Sequence, residues 1–225
     1  MGYTYDLEMK IRPACREMPP YPPKYITLAT GEKMVAREVR KEELPLILEV
    51  IEPLIKVPED YYDIVAVRFY AEVLSMIRHR IVDEYLFVGA IDSEVATIVN
   101  GRMVNDDLGM SLHTITVKRG LRCGALMFAS KMEYHMEYLN QKEIYLVAES
   151  PIGFRRFMVE WQLEPRFEER HELGGVPTYV MTRKCYFDAK PRLLAGVRPV
   201  PEDLLAKNYN LTLPKEYPQL PRWHR

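Results

Sequence analysis

The residues best placed to do chemistry lie together at 118–125, Lys-Arg-Gly-Leu-Arg-Cys-Gly-Ala. Three cations, Lys118, Arg119 and Arg122, stand beside two glycines, Gly120 and Gly124. A turn of this make-up, set between a strand and a helix, suits a pyrophosphate. Successive backbone N–H groups point out of it, and the helix N-terminus adds a partial positive charge. Glycine lets the backbone approach a ligand with no side chain in the way. Lys and Arg add charge-assisted hydrogen bonds to phosphate oxygens. The solvated entry of an ordinary helix has the same composition, so both readings stand at this point.

The elements that must position this turn are legible on both sides. Residues 109–117 (G-M-S-L-H-T-I-T-V) predict a strand, and 123–139 predict a helix carrying Leu126, Met127, Met132, His135, Met136 and Leu139. Its methionines read as core packing. Upstream, 26–29 and 34–40 predict a hairpin across Thr30-Gly31-Glu32-Lys33. Helical spacing follows over 42–55 and 59–82, with Pro45 in a first turn and Pro53 ending the first of these helices. Strands are expected at 85–91, 95–103 and 143–148, a short helix at 152–162, and a closing hairpin from 167–171 and 178–183 around Gly174-Gly175. This order predicts a mixed α/β fold, a mainly antiparallel sheet with helices on its faces.

Proline marks both ends. Pro19-Pro20-Tyr21-Pro22-Pro23 excludes helix and central strand and reads as an extended lead-in. Residues 186–225 show no long periodicity, yet Leu193, Leu194, Leu204, Leu205, Leu211, Leu213 and Leu220 make them too apolar for a free tail. The expected organisation is a proline-rich lead-in over 1–33, a catalytic-type domain over 34–184 and an arm over 185–225. That arm is expected to pack on its own domain or on a second copy, with a homodimer slightly favoured because Trp223 and the final residues have little chain left to fold back on.

Charge and cysteine content narrow the function classes. The 225 residues hold 31 Lys and Arg against 32 Asp and Glu, a net charge of -1, which argues against a nucleic-acid partner. No apolar run reaches the roughly 18 residues a spanning helix needs, and the first 25 residues have no apolar core of a signal peptide. Cys15, Cys123 and Cys185 are odd in number and far apart, which predicts neither a disulfide framework nor a metal site. The expectation is a cytoplasmic protein without a membrane partner.

Residues 34–184 resemble the GNAT superfamily of N-acetyltransferases. The loop pattern [Q/R]-x-x-G-x-[G/A] of that family is matched in place by Arg119-Gly120-Leu121-Arg122-Cys123-Gly124, with Arg122 where the family usually has glycine. The order of elements matches too. The resemblance implies a GNAT-like fold, acetyl-CoA as co-substrate, and transfer of acetyl to an amine of a small molecule or peptide. It assigns the cofactor to Thr116, Val117, Lys118, Arg119, Gly120, Leu121, Arg122, Cys123, Gly124 and Ala125. Many members carry a general-acid tyrosine on the next helix. The corresponding stretch here is 157–163, with Met158 at the tyrosine's place, and a thioether donates no proton. This departure keeps a non-catalytic acyl-CoA-binding or interaction module open as the alternative.

Only a neutral amine attacks a thioester, so the implied chemistry calls for a base. Strand 109–117 lacks a Glu; its one group of suitable titration range is His113. Glu149 ends the next strand, near the point where the family's sheet opens. His113 also reads as a structural histidine, and Glu149 as a helix-entry carboxylate. Tyr61 and Tyr62 are candidates for an acceptor pocket, with core packing the better reading.

Overall fold

In the computed structural model, residues 2–14, 16–174 and 177–218 are described; Cys15, Gly175, Leu220 and Trp223 lie outside them. Among the described residues, eight strands form one sheet in the order β1-β2-β3-β4-β5-β6-β8-β7. They are β1 (Lys24–Thr27), β2 (Lys33–Glu38), β3 (Glu84–Ile91), β4 (Glu94–Met103), β5 (Leu108–Thr116), β6 (Glu143–Leu146), β7 (Glu164–Arg166) and β8 (Thr178–Thr182). All neighbours are antiparallel except β5 and β6. A parallel pair needs a crossover, and helix α4 (Cys123–Glu133), which runs on through a wide turn at Tyr134–Tyr138, supplies it. The mixed, mainly antiparallel sheet flanked by helices that the sequence predicts is present.

Helix α2 (Leu44–Ile51) begins with Pro45 in its first turn, and the following Glu52–Lys56 turn starts at Pro53. With α3 (Tyr62–Ile77), α2 covers one face of the sheet. Ile47, Val50, Ile51, Phe69 and Val73 pack there on Val88, Ile98 and Ile115. Helix α4 covers the other face, placing Cys123 and Met127 against Phe87 and Val99, and Phe128, Met132 and Met136 against Ile144 and Leu146. The methionines of α4 are core, as their spacing suggested.

The sequence reading differs from the fold in three places. Helix α1 (Gly2–Ile11) stands within the lead-in, where no helix was expected. The strand expected at 167–171 lies earlier, at Glu164–Arg166. Residues 167–171 bend away because His171 is drawn under the sheet, where Nε2 donates to Ser111 O at 3.1 Å and Nδ1 accepts from Leu173 N–H at 3.1 Å. The C-terminal arm also holds two helices, α6 (Arg183–Leu193) and α7 (Glu202–Asn208). Thr182 caps α6 by accepting from Cys185 N–H at 3.2 Å, and Tyr186 is the residue it buries most fully. The described part of the arm packs on its own chain: Val197 bridges Tyr25, Thr212 bridges Glu94, and Asn208 O accepts from buried Arg37 at 2.8 Å. Among the described residues, no helix is long and apolar enough to cross a membrane.

Candidate functional site

Strands β5 and β6 pair only from Leu108↔Glu143 to Ser111↔Leu146. Strand β5 then runs on for five residues while β6 ends, so the sheet opens. Val117 N–H donates to Ala96 O, on the β4 side, at 2.8 Å. Antiparallel pairs alternate between bonded and non-bonded, so the backbone groups of Thr116 and Thr114 point to the opened edge. Thr116 O fits this: it accepts from Tyr62 Oη at 2.6 Å, out of α3. A cavity of about 300 Å³ fills the opening, and Tyr62, Thr114, Thr116, Gly124, Ser150 and Phe157 are among its walls.

The predicted loop closes one end of this cavity. Thr116, Arg119, Gly120, Arg122, Cys123, Gly124 and Ala125 line it, whereas Val117, Lys118 and Leu121 turn to a neighbouring cavity shared with Lys215 and Tyr217 of the C-terminal arm. A Cβ on Gly124 would collide with Thr116 Oγ1, so glycine keeps the first turn of α4 against β5. The first amides of α4 have no partner inside the helix and stand at the cavity. Arg122 precedes α4 with φ +61°, the left-handed conformation that glycine adopts most readily. Both loop arginines already hold carboxylates. Arg119 donates to Glu59 and Asp60, each at 3.1 Å, and its guanidinium lies 5.2 Å from the centre of the Tyr62 ring. Arg122 donates to Glu160 at 2.9 Å. Burial pushes the Cys123 thiol up to about 11, so it stays protonated. Burial likewise pushes the Tyr62 phenol up to about 12.

Deeper in the opening, a pocket of about 60 Å³ is lined by His113, Thr114, Glu149, Ser150, Phe157 and Leu173. The two candidate bases therefore meet at one place. Glu149 is paired with Arg68 of α3. Ser150 caps α5, which starts at Pro151–Gly153 and widens through Phe154–Val159, by accepting from Gly153 N–H at 2.9 Å. That wide turn changes which side chain faces inward. Met158, expected at the general-acid position, is buried with Phe128 and Trp161, and Phe157 takes the wall of the opening, stacked on Phe128 at 4.3 Å between ring centres. Tyr61 is exposed and Tyr62 is buried.

Sequence reasoning missed the groups behind His113. Register breaks between β4 and β5: Val99 pairs with Thr114 and Gly101 with Ser111, leaving Leu112 and His113 opposite Asn100 alone. Such a bulge frees backbone groups, and side chains claim them. Asn100 Oδ1 accepts from His113 N–H at 2.9 Å, and Lys131 Nζ donates to Asn100 O and His113 O, both at 3.1 Å. Lys131 is wholly buried, and that burial pushes its ammonium down to about 7. The available signal was a polar residue inside an apolar run: Asn100 after A-T-I-V, Lys131 within L-M-F-A-S-K-M.

No family model and no curated protein sequence matches the chain. Solved structures do. An uncharacterized protein from Bacillus halodurans aligns at 13% identity with a TM-score of 0.53, covering 78% of this chain and 100% of that one. Spermidine N-acetyltransferase from Vibrio cholerae, in complex with CoA and spermine, aligns at 15% identity and 0.49, covering 68% and 98%. PaiA N-acetyltransferase from Thermoplasma acidophilum, in complex with coenzyme A, aligns at 14% and 0.48, covering 66% and 98%. At these identities the likeness is one of fold alone.

Proposed function

We propose that the opening between β5 and β6 binds acetyl-CoA and that the protein transfers its acetyl group to an amine of a small molecule or peptide. The observation that carries this reading is the strand edge at Thr114 and Thr116, which β6 leaves without a partner strand and which leads to a glycine-bearing loop at the head of α4. The residues fit such a co-substrate. An extended amide chain pairs with a strand edge, and a pyrophosphate suits the first amides of a helix. Thr116, Arg119, Gly120 and the stretch from Arg122 to Ala125 would hold it. Once bound, the thioester supplies an activated acyl group.

The chain's own residues do the rest. An N–H on the open edge of β5 polarises the carbonyl. His113 or Glu149 takes the proton from the ammonium so that the amine can attack. No phenol faces the opening from α5, where Phe157 stands, so the departing thiolate takes its proton from solvent. The same observation favours the second reading, a non-catalytic acyl-CoA-binding or interaction module on this fold.

Native mass spectrometry with and without acetyl-CoA tests the first step. A mass shift of one acetyl-CoA per chain is expected, and its absence overturns the reading. The subunit count in the same spectra tests whether the C-terminal arm pairs two copies. A free-thiol assay with a panel of small amines across pH 6–9 then separates the two readings: thiol release supports transfer, and a silent panel with acetyl-CoA bound supports the module.

A further inference from the structure

The structure assigns Glu72 of α3 as the positioning residue that holds His113 ready as the base, an inference resting on the acyl-transfer reading. Glu72 Oε1 lies 3.0 Å from His113 Nε2. Its other oxygen accepts from Asn100 Nδ2 at 2.5 Å, and Asn100 Oδ1 accepts from the His113 backbone N–H. The three residues close a ring around the bulge. His113 is 2% exposed, and among the described residues Glu72 is the partner of Nε2. A carboxylate at that distance takes a hydrogen bond, so Nε2 carries the proton and Nδ1 keeps its lone pair. Nδ1 has no partner among the described residues, and the ring forms a wall of the small pocket where Thr114 and Glu149 also stand.

The surroundings favour His113 over Glu149. The Glu149 carboxylate is already held by Arg68, whereas the Glu72 carboxylate turns to His113 and Asn100. The charged or titratable groups facing His113 are Glu72 and Arg68 on α3, Lys131 on α4, Glu149 after β6 and His171 in the β7–β8 loop. Burial holds His171 down at about 4, so it is neutral. The step balances simply. The ammonium gives one proton to Nδ1, Nε2–H stays on Glu72, and the carboxylate stabilises the imidazolium that forms. The freed amine bonds to the acyl carbon, the C–S electron pair leaves on sulfur, the second N–H proton passes to solvent as the amide forms, and the thiolate takes one proton from solvent.

Two measurements decide this. Nitrogen-15 NMR of histidine-labelled wild-type protein should show His113 as the Nε2–H tautomer when neutral; an Nδ1–H tautomer overturns the assignment, whatever any variant does. In thiol release with acetyl-CoA and n-propylamine, Glu72→Gln should lower kcat by about a hundredfold, the low end of a general base's contribution. The KM for acetyl-CoA should stay within about twofold, the cofactor contacts being elsewhere. Glu72→Asp should recover part of kcat. An unchanged kcat in Glu72→Gln, or a loss that Glu72→Asp does not partly recover, overturns the role of Glu72 while acetyl-CoA binding, read by calorimetry, persists. A wild-type protein that binds no acetyl-CoA overturns the acyl-transfer reading and this inference with it.

Discussion

The two ends of α4 handle charge in opposite ways. At its N-terminus, Arg119 and Arg122 hold carboxylates from neighbouring elements at the surface, with side chains 33% and 55% exposed. Three turns on, Lys131 and Glu133 are 0% and 5% exposed. Exposed ion pairs contribute about 0.2–1 kcal/mol, so an arriving phosphate can replace them at little cost. Buried charges tolerate no such exchange, because a lost partner leaves a charge stranded away from water. One end is built to change partners and the other to keep them.

The largest test of that contrast is Glu133. Its carboxylate accepts from Lys24 at 2.8 Å, from Tyr21 at 2.5 Å and from Arg198 at 2.9 Å. It thereby ties the lead-in, β1 and the C-terminal arm to α4. Glu133→Ala should cost about 3–5 kcal/mol, because two cations lose their shared partner. For a chain of this size that lowers Tm by roughly 2–4 °C per kcal/mol, read by circular dichroism. A fall no larger than that of a loop-arginine variant would break the comparison.

The same carboxylate sets an acid dependence. Burial alone would push it up, but Arg198, Lys24 and Tyr21 outweigh burial and hold it at about 2. A depressed carboxyl stabilises the fold above its unfolded pKa of 4.5, and that contribution is lost as pH falls from there toward 2. Urea midpoints of wild type should therefore drop over this window more steeply than those of Glu133→Gln. Parallel curves would show that the carboxylate is not held as described.

At the open end the effect moves from stability to binding. Gly124→Val puts a side chain onto Thr116, and Arg119→Ala removes a cation. Each should weaken acetyl-CoA by about tenfold to a hundredfold in calorimetry, the equivalent of 1.5–3 kcal/mol for a charge-assisted contact. Arg119→Ala should lower Tm by no more than a few degrees, since Arg119 and Glu59 are each about a third exposed and only Asp60, 15% exposed, loses a partner away from water. Unchanged titrations for both variants would remove the loop from the site.

This contrast also divides what the sequence made legible. The loop was readable because its cue is local: three cations and two glycines between a strand and a helix. The fold was readable because hydrophobic spacing gave nearly every strand and helix from β1 to β8 in order. Glu72, Asn100, His113 and Lys131 come from α3, β4, β5 and α4, and only tertiary packing brings them to one bulge. Met158 misled for a related reason. A helix with even spacing would turn it toward the opening, whereas the wide turn at Phe154–Val159 turns Phe157 there instead. The arm's helices were hidden because proline-rich spacing masks short elements that packing stabilises.

The smallest expected effect separates backbone from charge at Arg122. Its φ of +61° costs any residue with a Cβ roughly 1–2 kcal/mol relative to glycine. Its ion pair with Glu160 is exposed and returns at most about 1 kcal/mol. Arg122→Ala loses the pair and keeps the strain; Arg122→Gly loses the pair and sheds the strain, less the extra freedom glycine has when unfolded. The glycine variant should therefore melt about 2–4 °C above the alanine variant, close to wild type, with both binding acetyl-CoA equally. Equal melting temperatures would show that the residue is not held left-handed. A glycine variant that binds tighter than wild type would show that the Arg122 side chain crowds the phosphate it was expected to grip.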